Sequence, residues 1–184
     1  HDRKCDLNLA RLHKAGIRGV RTVSGDACEL DEVLTSFDAM LGEPVKFDTV
    51  FIDAPCSGTG TMRRHPEIPW RLTERDVTVD LPKLQLTILK EAAARVAAGG
   101  ELIYATCSVF DEENTQVVDA FLNSPEGAGF SVAPLSEAQI LQLPEFEQAK
   151  KLVSVRQNDR GLFQSVPVNA DSYDGHFCAR LVHK

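Results

Sequence analysis

The sequence lacks the features of membrane and secreted proteins. No apolar run in its 184 residues approaches the roughly 20 residues that span a bilayer. Its first residues are polar and charged, which is unlike a signal peptide. The five cysteines are scattered and form no Cys-x-x-Cys pair, which argues against both a disulfide framework and a structural zinc site. We therefore expect a cytoplasmic protein with no membrane partner and no metal.

Positive charge is also in short supply. Lysine and arginine number 20 against 27 aspartates and glutamates, a net charge of −7. This balance gives no support to nucleic-acid binding, because phosphate contacts need a basic surface. However, Arg63, Arg64, His65, Arg71 and Arg75 lie close together in the chain. Such a local basic patch is compatible with RNA as a partner.

Hydrophobic periodicity indicates an α/β protein. Apolar stripes predict helices over residues 2–15, 30–41 and 81–96, the last ending at Gly99-Gly100, and another over 117–122 with Asp111 as its N-cap. Short apolar or alternating runs predict strands over 20–24, 47–52 and 101–105, and an antiparallel pair over 161–168 and 176–182. Residues 58–79 are predicted to form a polar loop with one helical turn, and 127–159 to be mostly irregular. This alternation predicts a three-layer α/β domain.

Two cysteine motifs follow the strands that are predicted to be buried. DAPCSGTG at 53–60 places Asp53, Pro55 and Cys56 after one strand, and YATCS at 104–108 places Cys107 after the next. The carboxyl ends of parallel strands form the edge of the sheet where ligands bind. A thiolate there is a strong nucleophile once its pKa is lowered, for example near the N-terminus of the helix expected from Asp111. The acidic Glu112 and Glu113 in the first turn of that helix would partly oppose that effect. These side chains suit covalent activation of an electron-poor ring.

The order and spacing of these motifs resemble the Sun/Fmu family of RNA (cytosine-5)-methyltransferases. The resemblance covers 53–60, RRHPEI at 63–68, Gln85, 104–108, EEN at 112–114, and DGHFCARL at 174–181. It implies a Rossmann-like class I methyltransferase domain with a mostly parallel sheet and a C-terminal antiparallel pair. It also implies that the cofactor is S-adenosyl-L-methionine and that the substrate is RNA, ribosomal RNA in particular.

The resemblance assigns three catalytic residues. Cys107 would attack C6 of the target cytosine, and Asp53 would hydrogen-bond the ring near N3. Cys56 would assist removal of the C5 proton and release of the covalent adduct. The simplest alternatives are that the two cysteines are small buried hydrophobic residues and that Asp53 is a turn aspartate.

The resemblance also assigns binding residues. Asp26, Asp53 and Pro55 would contact the cofactor, and Arg63 and Arg64 would contact RNA. Asp26 is equally compatible with an ordinary Asx turn, and the arginines with a solvated face.

One departure from the family pattern concerns the cofactor. The glycine-rich turn after the first strand and the acidic residue after the second are absent from the sequence. We therefore expect residues 1–184 to be the C-terminal portion of a catalytic domain that lacks its first two strands, and to bind the cofactor weakly when alone. A non-catalytic RNA-binding or scaffold remnant is the alternative function. An exocyclic-amine methyltransferase is disfavoured, because Cys56 stands where that class has a proline and an aromatic residue.

Overall fold

The chain divides into two compact units, His1–Val45 and Lys46–Lys184. The structure, a computed structural model, describes residues 2–136, 157–167 and 173–184. None of the helices in these ranges has both the length and the apolar character needed to cross a bilayer.

The N-terminal unit contains two helices, α1 (Asp2–Lys14) and α2 (Leu30–Leu41), which confirms both predictions there. Helix α2 ends at Gly42, whose φ of 78° is the left-handed conformation that glycine adopts most readily, and whose N–H donates to Asp38 O. The strand predicted over 20–24 is wrong, because that segment has no regular secondary structure. A strand needs a pairing partner, and the described part of this unit offers no second extended segment.

The C-terminal unit is built on one open sheet. Its described strands are β1 (Phe47–Asp53), β2 (Val96–Thr106), β3 (Phe130–Val132), β4 (Phe163–Ser165) and β5 (His176–His183). Strand β1 pairs with β2 in parallel, and β5 pairs antiparallel with β2, β3 and β4. Strands β1 to β4 therefore point the same way and β5 alone is reversed. The α/β class and the C-terminal antiparallel pair are confirmed.

Helices α3 (Leu81–Ala93) and α4 (Thr115–Leu122) pack together on one face of this sheet. Alternate residues of β2 show which face is covered, because Leu102, Tyr104 and Thr106 are almost fully buried. Tyr104 also donates a hydrogen bond from its hydroxyl to Glu113 O, just before α4, at 2.7 Å. The packed face holds the ends of β1 and β2 in place.

Strand β2 begins earlier than predicted. Val96 was expected to end the preceding helix at Gly99-Gly100, but α3 ends at Ala93 and Val96 already pairs with Phe47. The pairing then shifts, so that Thr49 is opposite Glu101. Gly99, with φ of 73°, lies in the resulting bulge. The two glycines therefore mark an irregularity within a strand and not the end of a helix.

The polar segment after Cys56 contains more helix than predicted. Two 3₁₀ turns, Thr59–Thr61 and Ile68–Trp70, precede a helix that runs from residue 74 through a π-helical turn into α3. Thr73 and Asp76 cap its start reciprocally. The N–H and hydroxyl of Thr73 donate to Asp76 Oδ2 at 2.7 Å, and Asp76 N–H donates to Thr73 Oγ1 at 3.2 Å.

The prediction of Asp111 as the N-cap of α4 is wrong. Asp111–Glu113 forms a separate 3₁₀ turn, and Asn114 occupies the N-cap position. Within the segment predicted to be irregular, β3 is an additional strand, while residues 137–156 lie outside the described ranges.

Candidate active site

The two cysteine motifs meet at the carboxyl ends of β1 and β2. Asp53 is opposite Ala105 in the parallel register, and Ala54 N–H continues the pairing by donating to Ala105 O at 2.9 Å. The backbone leaves the sheet after each strand, and Cys56 and Cys107 lie in the two loops that follow. The predicted convergence of the motifs is confirmed by this geometry.

The two sulfur atoms lie 3.2 Å apart. Cys107 N–H also donates a hydrogen bond to Cys56 Sγ at 3.3 Å. Both cysteines are free and both side chains are half-buried, so neither belongs to the interior of the core. The sulfurs are therefore close enough to reach the same small ring.

Burial raises the pKa of Cys56 to about 12, and the side-chain hydrogen bond with Cys107 is the second cause. Backbone hydrogen bonds to Gly58 and Cys107 act in the opposite direction but do not outweigh burial. At neutral pH Cys56 therefore carries its proton and can donate it as a hydrogen bond to Cys107 Sγ.

Three backbone segments are joined at the base of this pair. Gly60 N–H donates to Cys107 O at 2.9 Å, and Gly175 N–H donates to Gly60 O at 2.8 Å. The two glycine backbones approach so closely that a Cβ on Gly60 would lie 2.1 Å from Gly175 O. The segment before β5 is thus attached to the loop after Cys56.

Sequence reasoning missed a buried polar cluster beneath the cysteines. Glu113 is fully buried, and its carboxylate accepts hydrogen bonds from Ser57, Ser108 and Gln85. The available signal was that a serine directly follows each cysteine. It could have been recognised as a cluster only with the position of Glu113 known.

Asn114 supports the Cys107 loop from the other side. Thr106 Oγ1 donates to Asn114 Oδ1 at 2.6 Å, and Asn114 Nδ2 donates to Ser108 O at 3.0 Å. The residues on both sides of Cys107 in the chain are therefore bonded to one buried amide. Helix α4 begins only after Asn114, so its N-terminus lies about one turn further along the chain than the predicted start near Asp111.

The other predicted site residues fall in three places. Asp53 and Pro55 are exposed at the end of β1, beside the cysteine pair in the chain. Arg63 and Arg64 are exposed on the loop after Cys56. Asp26 belongs to the N-terminal unit, where its Oδ1 accepts from Cys28 N–H at 2.9 Å in an Asx turn.

Arg64 has an acidic partner. Its Nε donates to Asp174 Oδ2 at 2.7 Å, and this guanidinium lowers the pKa of the Asp174 carboxyl group. The Arg64 side chain nevertheless remains 60% exposed. The ion pair therefore links the loop after Cys56 to the segment before β5 while leaving much of the guanidinium accessible.

A cavity of about 300 Å³ opens beside the cysteine loops. Thr59 and Phe110, which follow Cys56 and Cys107 in the chain, both line it, together with Met62, Leu72 and Val77. Within the ranges that the structure describes, no group of three or more His, Cys, Asp or Glu side chains is arranged to hold a metal ion.

Comparison with known proteins gives relatives that are methyltransferases by name. The chain is 48% identical over 86 residues to ribosomal RNA small subunit methyltransferase B of Salmonella arizonae, which covers 47% of this chain and 20% of the relative. The crystal structure of PH0851 matches 92% of this chain and 32% of its own at 31% identity, with a TM-score of 0.67. NSun6 from Pyrococcus horikoshii with SFG matches 94% of this chain and 36% of its own at 22% identity, with a TM-score of 0.64, and shows the fold alone.

The fold is that of the Rossmann-like methyltransferases. The chain belongs to the 16S rRNA methyltransferase RsmB/F family, whose model matches residues 3–182. This confirms the resemblance to the Sun/Fmu family. The chain spans only 18–27% of the length of its curated methyltransferase B relatives.

Proposed function

We propose that this chain carries the catalytic centre of an S-adenosyl-L-methionine-dependent enzyme that methylates C5 of a cytosine in ribosomal RNA. The observation that carries the proposal is the 3.2 Å separation of Cys56 Sγ and Cys107 Sγ at the ends of two parallel strands. Methylation of an exocyclic amine has no use for a thiol pair. Methylation of a ring carbon needs both a nucleophile and a means of releasing it.

Cys107 acts as the nucleophile. Its thiolate forms a bond to C6 of the cytosine, and the electron pair of the C5–C6 double bond moves towards N3. Asp53, at the exposed end of β1, hydrogen-bonds the ring near N3 as that nitrogen takes up a proton, and so stabilises the charge that develops there. The ring carbon C5 then becomes electron-rich and ready to accept a methyl group.

The residues at the end of β1 fit part of the cofactor's chemistry. S-adenosyl-L-methionine supplies an electrophilic methyl group and carries positive charge, which the exposed carboxylate of Asp53 suits. Pro55 lies next to it and restricts the chain where the cofactor would approach. Asp26 is the second proposed contact, from the N-terminal unit.

Cys56 completes the cycle. Before reaction its pKa of about 12 keeps it protonated, partly because of the hydrogen bond to Cys107. Once Cys107 is a thioether, its hydrogen bond with Cys56 no longer raises the pKa of Cys56 as strongly. Cys56 then loses its proton to solvent more readily. The Cys56 thiolate then takes the proton from C5. The C5–H electrons restore the C5–C6 double bond and the S–C6 bond breaks, which returns the Cys107 thiolate.

RNA contacts come from the loop after Cys56. Arg63 and the accessible part of Arg64 lie on the segment that leads away from the catalytic thiol. Their charges suit the phosphates that flank the target cytosine. The target base has to be single-stranded or flipped out of its helix for C6 to reach Cys107. The five free cysteines are consistent with work in a reducing cytoplasm.

Tritium release tests this proposal. The full-length protein is incubated with S-adenosyl-L-methionine and ribosomal RNA that carries tritium at C5 of cytosine. Methylation of C5 expels the tritium into water, so label should appear in water in proportion to methyl groups incorporated. Methyl incorporation without tritium release would indicate a different target atom. RNA binding with neither methyl incorporation nor tritium release would favour a non-catalytic scaffold.

A further inference from the structure

The carboxylate of Glu113 is bonded to both cysteine loops at once. On the first loop, Ser57 N–H donates to Glu113 Oε1 at 2.8 Å, and the Ser57 hydroxyl donates to Oε2. On the second loop, the Ser108 hydroxyl donates to the same Oε2. Glu113 is fully buried, so these bonds are not shared with bulk water. A charge-assisted bond of this kind is about twice as strong as a neutral one.

Neighbouring groups favour donation of these hydroxyls to Glu113, although Ser57 Oγ also lies 3.2 Å from Ser108 Oγ. Phe110 N–H donates to Ser108 Oγ at 3.1 Å, so that oxygen already accepts and its own proton is available for Glu113. Val109 N–H donates to Thr59 Oγ1 at 3.2 Å, and Thr59 Oγ1 lies 3.1 Å from Ser57 Oγ. With these donors in place, the Ser57 and Ser108 hydroxyls donate to the carboxylate, which only accepts.

Gln85 connects the same carboxylate to a third element, helix α3, through a hydrogen bond. Its Nε2 donates to Glu113 Oε1 at 3.0 Å and to Pro55 O, next to Cys56, at 2.9 Å. The buried Gln85 Oε1 has no partner within the described ranges. If the Gln85 amide were turned over, its oxygen would face two acceptors, Pro55 O and Glu113 Oε1. These acceptors therefore fix the orientation of the amide.

These bonds act one residue away from each sulfur. Ser57 directly follows Cys56, and Ser108 directly follows Cys107, while Gln85 holds the carbonyl of the residue before Cys56. One buried carboxylate thus bonds to the residue after each cysteine, in addition to the backbone bonds that join the two loops. Glu113 itself is not one of the groups that would touch the substrate.

We propose that Glu113 is the positioning residue of this site, and that it sets the separation of the two thiols so that both reach one cytosine. This inference rests on the proposed function for its catalytic consequence, although the geometry it predicts is measurable without catalysis. Losing the carboxylate removes the bonds that tie Ser57 and Ser108 to one common acceptor, and leaves the backbone bonds between the Cys56 and Cys107 loops in place. A displacement of about 1 Å costs on the order of 100-fold in rate for groups that must act together.

The test compares Glu113→Ala, Glu113→Gln and the control Glu126→Gln, an exposed glutamate that pairs with Lys90, in the full-length protein. The first readout is the equilibrium of the Cys56–Cys107 disulfide in glutathione buffers, in which oxidised glutathione takes two electrons and two protons from the pair. Mass spectrometry of the linked peptides identifies this disulfide. Its equilibrium constant reports how well the two sulfurs are held together, with or without RNA.

Glu113→Ala should lower that equilibrium constant by about 10-fold or more, since several buried hydrogen bonds are lost. Glu113→Gln should recover much of it, because one amide oxygen still accepts from Ser57 N–H and Gln85. The control Glu126→Gln should match the wild type. In methylation assays, Glu113→Ala should lower kcat by about 100-fold with KM for RNA changed by no more than about threefold.

A folded Glu113→Ala protein with the wild-type disulfide equilibrium and kcat would overturn the proposal. If Glu113→Ala does not fold, Ser108→Ala carries the same test, because it removes one of the donors from the Cys107 loop. It should lower the disulfide equilibrium constant, and no change would overturn the proposal. If the disulfide equilibrium shifts as expected but no variant, nor the wild type, methylates cytosine, the positioning role stands and the proposed function fails.

Discussion

The N–H of Cys107 donates a hydrogen bond to Cys56 Sγ at 3.3 Å, and the two sulfurs lie 3.2 Å apart. Each residue therefore alters the chemistry of the other. Burial and the thiol hydrogen bond together raise the pKa of Cys56 to about 12. In the proposed reaction one thiol of this pair is the nucleophile and the other carries a proton. Because the side chains are chemically identical, their surroundings have to distinguish them.

The first prediction concerns the titration of Cys56. Replacing Cys107 by alanine removes the side-chain hydrogen bond that is the second cause of the raised pKa, so the pKa of Cys56 should fall. Burial should still hold it above the usual value for a thiol. The pH dependence of Cys56 alkylation, followed by peptide mass spectrometry, measures the change.

Cys178 is the matched control, because its pKa is raised by burial alone. Its alkylation profile should be the same in the wild type and in Cys107→Ala. An unchanged midpoint for Cys56 would show that the two thiols are not bonded.

The second prediction concerns stability in alkali. The folded pKa of Cys56, about 12, is above the ordinary value of 9.0, so folding favours the protonated thiol between these values. The stability that this thiol contributes is present below about pH 9 and is lost as the pH rises towards 12. Cys56→Ala should lose stability less steeply than the wild type from pH 9 to 10.5 in urea unfolding. Parallel curves for the two proteins would contradict the raised pKa.

The third prediction concerns the close approach of two backbones. A Cβ at Gly60 would lie 2.1 Å from Gly175 O, which belongs to the backbone and cannot turn aside. Gly60→Ala should therefore destabilise the fold by about 1–3 kcal/mol and disturb the bond to Cys107 O. Gly129→Ala is the comparison, because its Cβ would meet only the His183 side chain at 3.1 Å. Chemical denaturation should show a clearly smaller loss for Gly129→Ala, and equal losses would count against the tight contact.

The fourth prediction concerns the ion pair between Arg64 and Asp174. Arg64 lowers the folded pKa of Asp174 below its ordinary value of 3.8, so the contribution to stability is present above that value and is lost as the pH falls through the folded pKa. Arg64→Ala should be less stable than the wild type at pH 7, and the gap should narrow below about pH 4.

Urea unfolding at several pH values checks this. Arg75→Ala breaks a more exposed pair, Arg75 with Asp80, and should have a smaller effect at pH 7. A gap for Arg64→Ala that is the same at pH 3 and pH 7 would show that the ion pair is not its cause.

The convergence of the two thiols could be predicted from the sequence because it depends on local patterns. The apolar runs before Asp53 and before Cys107 identify two neighbouring strands, and parallel strands end at a common edge. The residues that directly follow each strand, among them Cys56 and Cys107, are then expected at that edge. The antiparallel partner β5 was predicted in the same way, from its alternating residues.

Features that depend on distant partners could not be predicted in this way. The residues from 20 to 24 have the composition of a strand, but pairing decides whether a strand forms. Gly99 resembles a helix stop in the sequence. Only the pairing of β2 with β1 on either side of it shows that it lies in a bulge. The cluster around Glu113 draws its donors from positions 57, 85 and 108, so no spacing along the chain indicates it.

Covalent trapping tests the central claim most directly. The full-length wild type, Cys107→Ala and Cys56→Ala are incubated with S-adenosyl-L-methionine and RNA that carries 5-fluorocytosine, and the protein–RNA adduct is followed on denaturing gels. Cys107→Ala should form no adduct on this RNA. On RNA with unsubstituted cytosine, Cys56→Ala should accumulate a persistent adduct, whereas the wild type should release its adduct. If both variants behave as the wild type does, the two sulfurs do not have the roles proposed here.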